Sequence, residues 1–128
     1  MTKKYIGISR REFIVRFFDL WNILQKEEYR LRTKEIAILA EFLLLPDKFK
    51  YSRFSTQARK YVLRTVNESG WNLSQQGLAQ LIKSLTDKGI VKLDIDGVKS
   101  VTSKLDILAD KNKTEYDLKF LFQIDNAK

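Results

Sequence analysis

The sequence predicts a mainly α-helical protein with a small β-sheet, an α+β fold in which residues 1–128 form a single domain. Four segments carry apolar residues at spacings of three and four, and each follows a Ser or Thr that can cap a helix. A glycine ends the last of these segments, and a hairpin pattern follows it. With 128 residues and 44% hydrophobic content, the chain is long enough to bury one core.

The first helix is predicted to begin after Ser9, where Glu12 completes a Ser-x-x-Glu capping box. We expect a short strand just before it, in the stretch KKYIGIS. The apolar residues of the helix share one face: Phe13, Ile14, Phe17, Leu20, Trp21 and Leu24. This face has two interpretations. It packs in the core, or its excess of aromatic side chains, with Phe18 and Ile23 beside them, forms a seam with another subunit.

Two further helices follow along the chain. Thr33 is the predicted cap of the second, which ends at or before Pro46. Its apolar positions keep helical spacing: Ile36, Leu39, Ala40, Leu43 and Leu44. Ser55 is the predicted cap of the third, and Gly70 closes it in the left-handed conformation. The third helix has an inward side of Ala58, Tyr61, Val62 and Val66, and an outward side of Arg59, Lys60 and Arg64.

The fourth helix is predicted to follow Ser74 and to stop at Gly89. Its buried stripe consists of Leu78, Leu81, Ile82 and Leu85. Its opposite side is polar and carries Gln75, Gln76, Gln80, Lys83, Ser84 and Asp87. The stretch IVKLDIDGVKSV then predicts a hairpin, because Asp96-Gly97 suits the two positive-φ positions of a type I′ turn.

A half-buried strand is expected near the C-terminus, where apolar residues alternate with mostly polar ones: Tyr116, Leu118, Phe120, Phe122 and Ile124. The preceding residues 104–113 fit either a short helix or an irregular connection. Such a strand needs a partner, which would be the N-terminal stretch, the hairpin or another subunit. With the first helix it predicts an oligomer seam formed by Phe13, Phe17, Trp21, Phe120 and Phe122.

The formal charge of +8 indicates an anionic partner, and it is distributed unevenly. Residues 1–64 hold 15 Lys and Arg against 7 Asp and Glu, whereas residues 65–128 hold 9 of each. All eight Arg lie in the first half. The densest basic stretch, DKFKYSRFSTQARKYVLR at residues 47–64, is interleaved with aromatic residues, a pattern typical of nucleic-acid backbone contacts.

Several functional classes are disfavoured by composition. The chain has no Cys, which excludes disulfides and thiolate metal sites, and no His, the commonest general base and metal ligand. The stretch DIDG lacks the acidic ligands of a calcium loop. We therefore expect no enzyme activity, cofactor or metal. The longest apolar run, residues 42–45, is far shorter than the ~20 residues of a membrane helix, so we expect a cytoplasmic protein, or one assembled into a virion there.

The stretches LRTKEIAILAEFLLL, RFSTQARKYVLRTV and WNLSQQGLAQLIKSLTDKGIVKLDIDGVKSV resemble the winged helix-turn-helix superfamily, most nearly MarR-like regulators and small phage-encoded relatives. The resemblance covers residues 31–103. It implies a mainly α fold with a small β-wing. Residues 1–30 would be an N-terminal strand and helix extension, and residues 104–128 a C-terminal extension ending in a strand.

The resemblance also implies a DNA-binding surface. The base-reading positions would be Gln75, Gln76, Gln80, Lys83 and Ser84, with glutamine suited to adenine edges. The phosphate-binding residues would be Lys48, Lys50, Arg53, Arg59, Lys60 and Arg64. The wing would place Lys92, Asp96, Gly97 and Lys99 near the backbone or minor groove. An alternative for the basic stretch is that Phe54 and Tyr61 are core residues whose charged neighbours are merely solvated.

Two functions are compatible with these observations. The first is a dimeric winged-helix transcriptional regulator that binds duplex DNA. The second is a phage virion protein, head-tail or capsid-associated, which uses the winged helix for contacts with other structural proteins and assembles as a ring. The second is favoured by the near-neutral fourth helix, by Asp94 and Asp96 in the wing, and by the apolar seams at both ends of the chain.

Overall fold

The computed structural model describes residues 6–93, 99–102, 105, 107–118 and 123–124. Within these ranges the chain forms four α-helices and one two-stranded antiparallel sheet. The helices are α1 (Arg10–Ile23), α2 (Thr33–Leu43), α3 (Thr56–Glu68) and α4 (Gln75–Asp87), and the strands are β1 (Val91–Leu93) and β2 (Lys99–Val101). The predicted class, mainly α with a small β component, is therefore confirmed.

Helix α1 begins at its predicted cap, because the Ser9 Oγ accepts a hydrogen bond from the Glu12 backbone N–H at 3.1 Å. The Glu12 carboxylate pairs with Arg16 one turn later, at 2.6 Å. The residues of α1 that face the core are Ile14 and Phe18, both fully buried. The prediction that Phe18 only flanks the apolar face is wrong, because helical spacing does not decide which part of a wide apolar face lies nearest its neighbour.

Helix α2 lies at the centre of the molecule and contacts α1, α3 and α4. Its first residue is Thr33, and the N-cap position is Arg32, so the prediction of Thr33 as the cap is wrong by one residue. The Glu35 carboxylate, rather than a hydroxyl, accepts the Arg32 backbone N–H at 2.8 Å. Because it packs against three helices, α2 is buried over most of its surface, at Glu35, Ile36, Ile38, Leu39, Ala40, Phe42 and Leu43.

The N-terminal caps of α3 and α4, and the glycine that ends α3, are the residues that the sequence predicts. Ser55 and Ser74 cap the two helices by accepting the backbone N–H groups of Ala58 and Gly77, at 3.2 and 3.0 Å. Gly70 closes α3 with a φ of +103°, a conformation that a residue with a Cβ rarely adopts. The Val66 carbonyl accepts the Trp71 N–H at 3.1 Å across this turn.

The side chain of Asn67 holds the turn between α3 and α4 together. Its Nδ2 donates to the Leu73 carbonyl at 3.0 Å, and its Oδ1 accepts the Leu73 N–H at 2.9 Å. Asn22 makes the same pair of bonds with Leu31 after α1, at 2.9 and 2.8 Å. In both places a side-chain amide satisfies two backbone groups that no helix or strand pairs.

Gly89, with a φ of +80°, ends α4 as predicted and leads directly into β1. The strands pair as Val91 with Val101 and Leu93 with Lys99. A two-residue Asp96-Gly97 turn would instead bring Leu93 opposite Ser100, so this register is offset by one residue from the predicted turn. Residues 94–98 themselves lie outside the described residues.

The terminal strands predicted from the sequence are not found where the chain is described. Residues 6–9, 113–118 and 123–124 have no strand conformation. Residues 1–5, 119–122 and 125–128 lie outside the described residues. Leu118 and Ile124, expected to be half-buried by alternation, are 40% and 81% exposed. In the described part of this segment, side-chain contacts replace a strand ladder: the Tyr116 ring stacks on Phe13 with centroids 4.5 Å apart, and Arg10 Nη2 donates to the Lys113 carbonyl at 2.7 Å.

The ambiguous residues 104–113 contain a short 3₁₀ turn, Ile107–Ala109. Leu105, Leu108 and Ala109 are buried there and join a core to which all four helices and both strands contribute. The Tyr116 hydroxyl donates to the Ile107 carbonyl at 2.8 Å and accepts from Arg10 Nη1 at 3.2 Å. The chain after the sheet therefore returns to the N-terminal end of α1.

Glu35 is the buried charged residue of the described chain, 1% exposed. Its Oε1 accepts from Lys88 Nζ at 2.6 Å, and its Oε2 accepts from the Ser84 hydroxyl at 2.6 Å. Burial raises the pKa of the Glu35 carboxyl, but the hydrogen bonds from Lys88, Ser84 and the Arg32 backbone outweigh burial and lower the pKa below its ordinary value of 4.5. Glu35 is therefore a carboxylate in the folded protein.

The Glu35 carboxylate should make stability depend on pH. Because its pKa is lowered in the folded state, the ionised carboxylate stabilises the fold. This contribution is fully present above the ordinary pKa of 4.5 and is lost as the pH falls through the folded-state pKa. We expect Glu35→Gln to reduce the free energy of unfolding by about 3 kcal/mol at neutral pH, because Lys88 loses its partner. In urea titrations, the difference in the free energy of unfolding between the parent protein and the Glu35→Gln variant should shrink as the pH falls, since protonated Glu35 resembles Gln. The exposed Glu68→Gln is the control, and a difference that does not change with pH would contradict the prediction.

The Asn67 bonds should be measurable in the same way. Asn67→Ala removes two hydrogen bonds that fix the turn before α4, and we expect the free energy of unfolding to fall by about 1–2 kcal/mol. Asn72→Ala, in the same turn and exposed, should change it by less than about 0.5 kcal/mol. Equal effects of the two substitutions in thermal denaturation would show that the Asn67 amide does not hold the turn.

Candidate nucleic-acid interface

The outer face of α4 is exposed and polar. Gln75, Gln76, Gln80 and Lys83 are all exposed, as sequence periodicity predicts. Behind them Leu78, Ile82 and Leu85 are buried, 2% exposed or less. The apolar stripe thus holds α4 against the core while four of the five predicted base-reading side chains face solvent.

Ser84, the fifth predicted base-reading residue, does not belong to this exposed face. It is half-buried, and its hydroxyl donates to the buried carboxylate of Glu35. Lys88 also leaves the surface, because its ammonium pairs with the same carboxylate and its side chain is only 13% exposed. The exposed charges of α4 are therefore Lys83 and Asp87, which cancel.

Helix α3 contacts α4 and presents a second polar stripe. Gln57, Lys60 and Arg64 are exposed at spacings of three and four, so they share one side of the helix. The guanidinium of Arg64 lies 5.8 Å from the Tyr61 ring centroid, a cation–π contact that restricts the side chain. Two of the six predicted phosphate-binding residues are therefore together on the surface of α3.

Arg53 and Arg59 are in a different environment from the other predicted phosphate-binding residues. Both are half-buried. Arg59 Nε donates to the Phe54 carbonyl at 2.9 Å, and Arg53 Nη1 lies 3.5 Å from the Phe42 carbonyl. These contacts tie the start of α3 to the chain around it, so the two arginines have a structural role that a charge count does not reveal.

The aromatic residues of the basic stretch divide into buried and exposed. Phe54 is 6% exposed, and its ring contacts that of Phe42 in a tilted arrangement with centroids 4.6 Å apart. The ring of the half-buried Tyr61 lies 5.7 Å from that of Phe49, centroid to centroid. Tyr51 is 89% exposed. The interpretation as a core residue is therefore confirmed for Phe54, whereas Tyr61 is half-buried and packs against the core. Tyr51 is the aromatic side chain of this stretch that remains accessible.

Lys48 and Lys50 extend the basic surface before α3. Both are exposed, and their ammonium groups lie 5.1 Å and 5.6 Å from the rings of the adjacent Phe49 and Tyr51. The neighbouring acid Asp47 is paired with Lys111 at 3.3 Å. A set of four exposed cations, Lys48, Lys50, Lys60 and Arg64, is thus available on this part of the chain.

The predicted wing is described only at its base. Lys92 on β1 is exposed and Lys99 on β2 is half-buried. Asp96 and Gly97 lie outside the described residues. The Thr102 hydroxyl donates to the Gly89 and Ile90 carbonyls at 2.7 and 3.0 Å. The two strands are therefore anchored directly to the end of α4.

The predicted oligomer seam is partly covered by the chain itself. Phe13, Phe17 and Trp21 are half-buried and form a row of ring contacts, with Phe13 beneath Tyr116. Phe120 and Phe122 lie outside the described residues. The exposed apolar residues of α1 and its C-cap are instead Ile23, 66% exposed, and Leu24, 64% exposed. These two occupy the end of the helix opposite to Tyr116.

Two residues that organise the site were missed at the level of sequence. Glu35 lies four residues before Leu39 and seven before Phe42, on the apolar face of its helix, and an acid at such a position is a signal of a buried, partnered group. Asn67 sits three residues before Gly70, where an Asn often supports a turn. The partners of Glu35 lie far away in the sequence, since Ser84 and Lys88 are 49 and 53 residues from it, whereas Asn67 binds Leu73 only six residues later.

Other kinds of site receive no support from the residues with a described structure. Among them, no cluster of three or more acidic side chains is arranged to hold a metal ion. No helix in the same ranges has the length and apolar character to cross a membrane. Comparison with protein-family models, with curated proteins and with solved structures finds no match for this chain.

Arg59 and Lys60 are neighbours that should behave differently on substitution. Arg59→Ala removes a bond to the Phe54 carbonyl, and we expect it to lower the free energy of unfolding by about 1 kcal/mol. Lys60→Ala, at an exposed position, should change it by less than about 0.5 kcal/mol. Chemical denaturation of the two variants measures this directly. If Arg59→Ala proves as neutral as Lys60→Ala, the half-buried guanidinium has no structural role.

Proposed function

We propose that this protein binds duplex DNA as a winged helix-turn-helix regulator, with α3 and α4 as its helix-turn-helix and β1 and β2 as the base of its wing. The observation that carries the proposal is the outer face of α4. This face exposes Gln75, Gln76, Gln80 and Lys83, which can form hydrogen bonds, while Leu78, Ile82 and Leu85 behind it are buried. A helix of this kind has the size and chemistry to enter a major groove.

The exposed glutamines indicate what such a helix would read. A glutamine amide can donate to adenine N7 and accept from its N6 amino group, whereas guanine is usually read by Arg. The described surface of α4 exposes Gln75, Gln76 and Gln80 and carries no Arg. A·T base pairs are therefore the expected targets of α4.

The cations next to α4 would supply affinity without sequence preference. Lys60 and Arg64 lie on the first helix of the pair, which crosses the phosphate backbone in this arrangement. Lys48 and Lys50 precede that helix and are also exposed. Each phosphate contact releases counterions, so binding through about four cations should weaken on the order of 10²-fold between ~50 and ~200 mM salt.

Dimerisation would place two α4 helices on one duplex, and the proposal assigns it to the aromatic side of α1. Phe17 and Trp21 are half-buried, and Ile23 and Leu24 are exposed beside them. In a two-fold dimer the two α4 helices would lie ~34 Å apart and match a palindromic site.

If the proposal is correct, the cations of α3 control the affinity for any duplex, and the glutamines of α4 control the preference for particular base pairs. Lys60→Gln and Arg64→Gln should each weaken binding to every duplex alike and reduce the slope of log K against log salt by about 1. Gln80→Ala should leave that slope unchanged and reduce the preference for A·T pairs by about 1–3 kcal/mol. Fluorescence anisotropy with labelled 20-base-pair duplexes, at several salt concentrations, gives both quantities.

Two matched variants serve as controls for this experiment. Lys26→Gln removes an exposed charge outside α3 and α4 and should leave the salt slope unchanged. Gln57→Ala removes an exposed amide from α3 and should not change base preference. An absence of binding to duplex DNA at ~50 mM salt would overturn the proposal.

A second candidate function is a phage virion assembly protein, and one observation favours it. The exposed face of α4 has no net charge, since Lys88 is withdrawn to Glu35 and Asp87 offsets Lys83. A neutral polar face suits contact with another protein subunit better than contact with phosphates. Ring formation in mass photometry, together with an absence of DNA binding, would favour this candidate.

A further inference from the structure

Ser84 on α4 and Lys88 at the C-cap of that helix, one turn apart, are attached to the same buried carboxylate. The Ser84 hydroxyl binds Glu35 Oε2 and the Lys88 ammonium binds Glu35 Oε1, each at 2.6 Å. Oε1 also accepts the backbone N–H of Arg32 at 2.8 Å, so the carboxylate is fixed to the start of α2. Glu35 is thus a rigid anchor on α2 with two separate attachments to α4.

These attachments continue the row of exposed glutamines. Gln76, Gln80, Ser84 and Lys88 are spaced four residues apart, and such a row turns gradually around the helix axis. Gln76 and Gln80 at the start of the row are exposed, whereas Ser84 is half-buried and Lys88 is mostly buried. One ridge of α4 therefore faces solvent at its N-terminal half and is bonded to α2 at its C-terminal half.

The apolar contacts of α4 do not define its orientation as sharply. Leu78, Ile82 and Leu85 contribute burial, which is non-directional and roughly proportional to area. Hydrogen bonds are confined to a narrow range of distance and angle. A rotation of α4 by about 30° would displace a side chain at a radius of about 5–6 Å by about 3 Å. Such a displacement would break both bonds to Glu35.

We infer that Glu35 is a positioning residue for the DNA-facing surface, fixing the rotation and axial position of α4 through Ser84 and Lys88 and thereby the direction of Gln76 and Gln80. The inference rests on the proposed function for its role in base reading. The same contact reaches the sheet, because Lys88 adjoins Gly89, whose carbonyl is held by Thr102. Glu35 therefore positions α4 and the base of the wing as one unit.

A double variant separates this role from a contribution to stability alone. Glu35→Gln with Lys88→Met removes both charges and leaves no unpaired buried ion, so the protein should remain folded. Ser84→Ala is a milder variant that keeps the ion pair. The matched control is Arg11→Met with Glu41→Gln, which removes the 2.9 Å ion pair between α1 and α2 and does not touch α4.

The first readout is the ratio of affinities for two 20-base-pair duplexes, one of alternating A·T and one of alternating G·C pairs. In the Glu35/Lys88 double variant we expect this ratio to fall about tenfold while the salt slope stays unchanged. Ser84→Ala should give a smaller decrease, and the Arg11/Glu41 control none. An unchanged ratio in a folded double variant would overturn the inference.

The second readout does not depend on DNA binding. Because the chain has no Cys, Asp19→Cys on α1 and Gln80→Cys on α4 allow two spin labels to be attached at exposed positions. Pulsed electron paramagnetic resonance measures the distance between the two labels. We expect one narrow distribution of this distance in the labelled protein that keeps Glu35 and Lys88, and a broadened or shifted distribution when the Glu35/Lys88 double substitution is added. An unchanged distribution would overturn the positioning role, whereas an absence of duplex binding in the parent would overturn only the proposed function.

Discussion

The buried carboxylate of Glu35 is the interaction on which the arrangement of this fold depends. Three donors from two helices, the Arg32 backbone, Ser84 and Lys88, converge on it. A carboxylate that is 1% exposed is costly unless its acceptor positions are filled. Because each donor comes from a fixed place in the chain, the requirement that all three be satisfied leaves little freedom in how α4 lies against α2.

The arrangement of the rest of the unit that we propose faces DNA follows from that attachment. Helix α4 ends at Gly89 and continues into β1, so the position of the sheet is set by the end of the helix. At its other end, α4 is joined to α3 through the Asn67 amide and the Gly70 turn. The exposed faces of α3 and α4 therefore belong to one connected body.

The same interaction affects which functions the surface supports. By withdrawing Lys88, Glu35 leaves the face of α4 polar but neutral, and the positive charge lies on α3 and the segment before it. If such a protein bound DNA, the positive charge on α3 would supply affinity, and the polar side chains of α4 would supply selectivity between sequences. Tyr116 covers Phe13 near the start of α1, whereas Ile23 and Leu24, at the other end of that helix, are exposed.

The sequence by itself determined the features governed by neighbouring residues. Ser9, Ser55 and Ser74 as caps, Gly70 and Gly89 as stops, and the buried stripes of α3 and α4 all depend on bonds or spacings within a few residues. Tertiary structure alone decided which side of α1 meets the core, the offset register of β1 and β2, and the partial burial of Ser84 and Lys88. These depend on partners in other elements of the fold: Ser84 has the polarity of a surface residue, and its hydrogen bond to Glu35, 49 residues earlier, accompanies its partial burial.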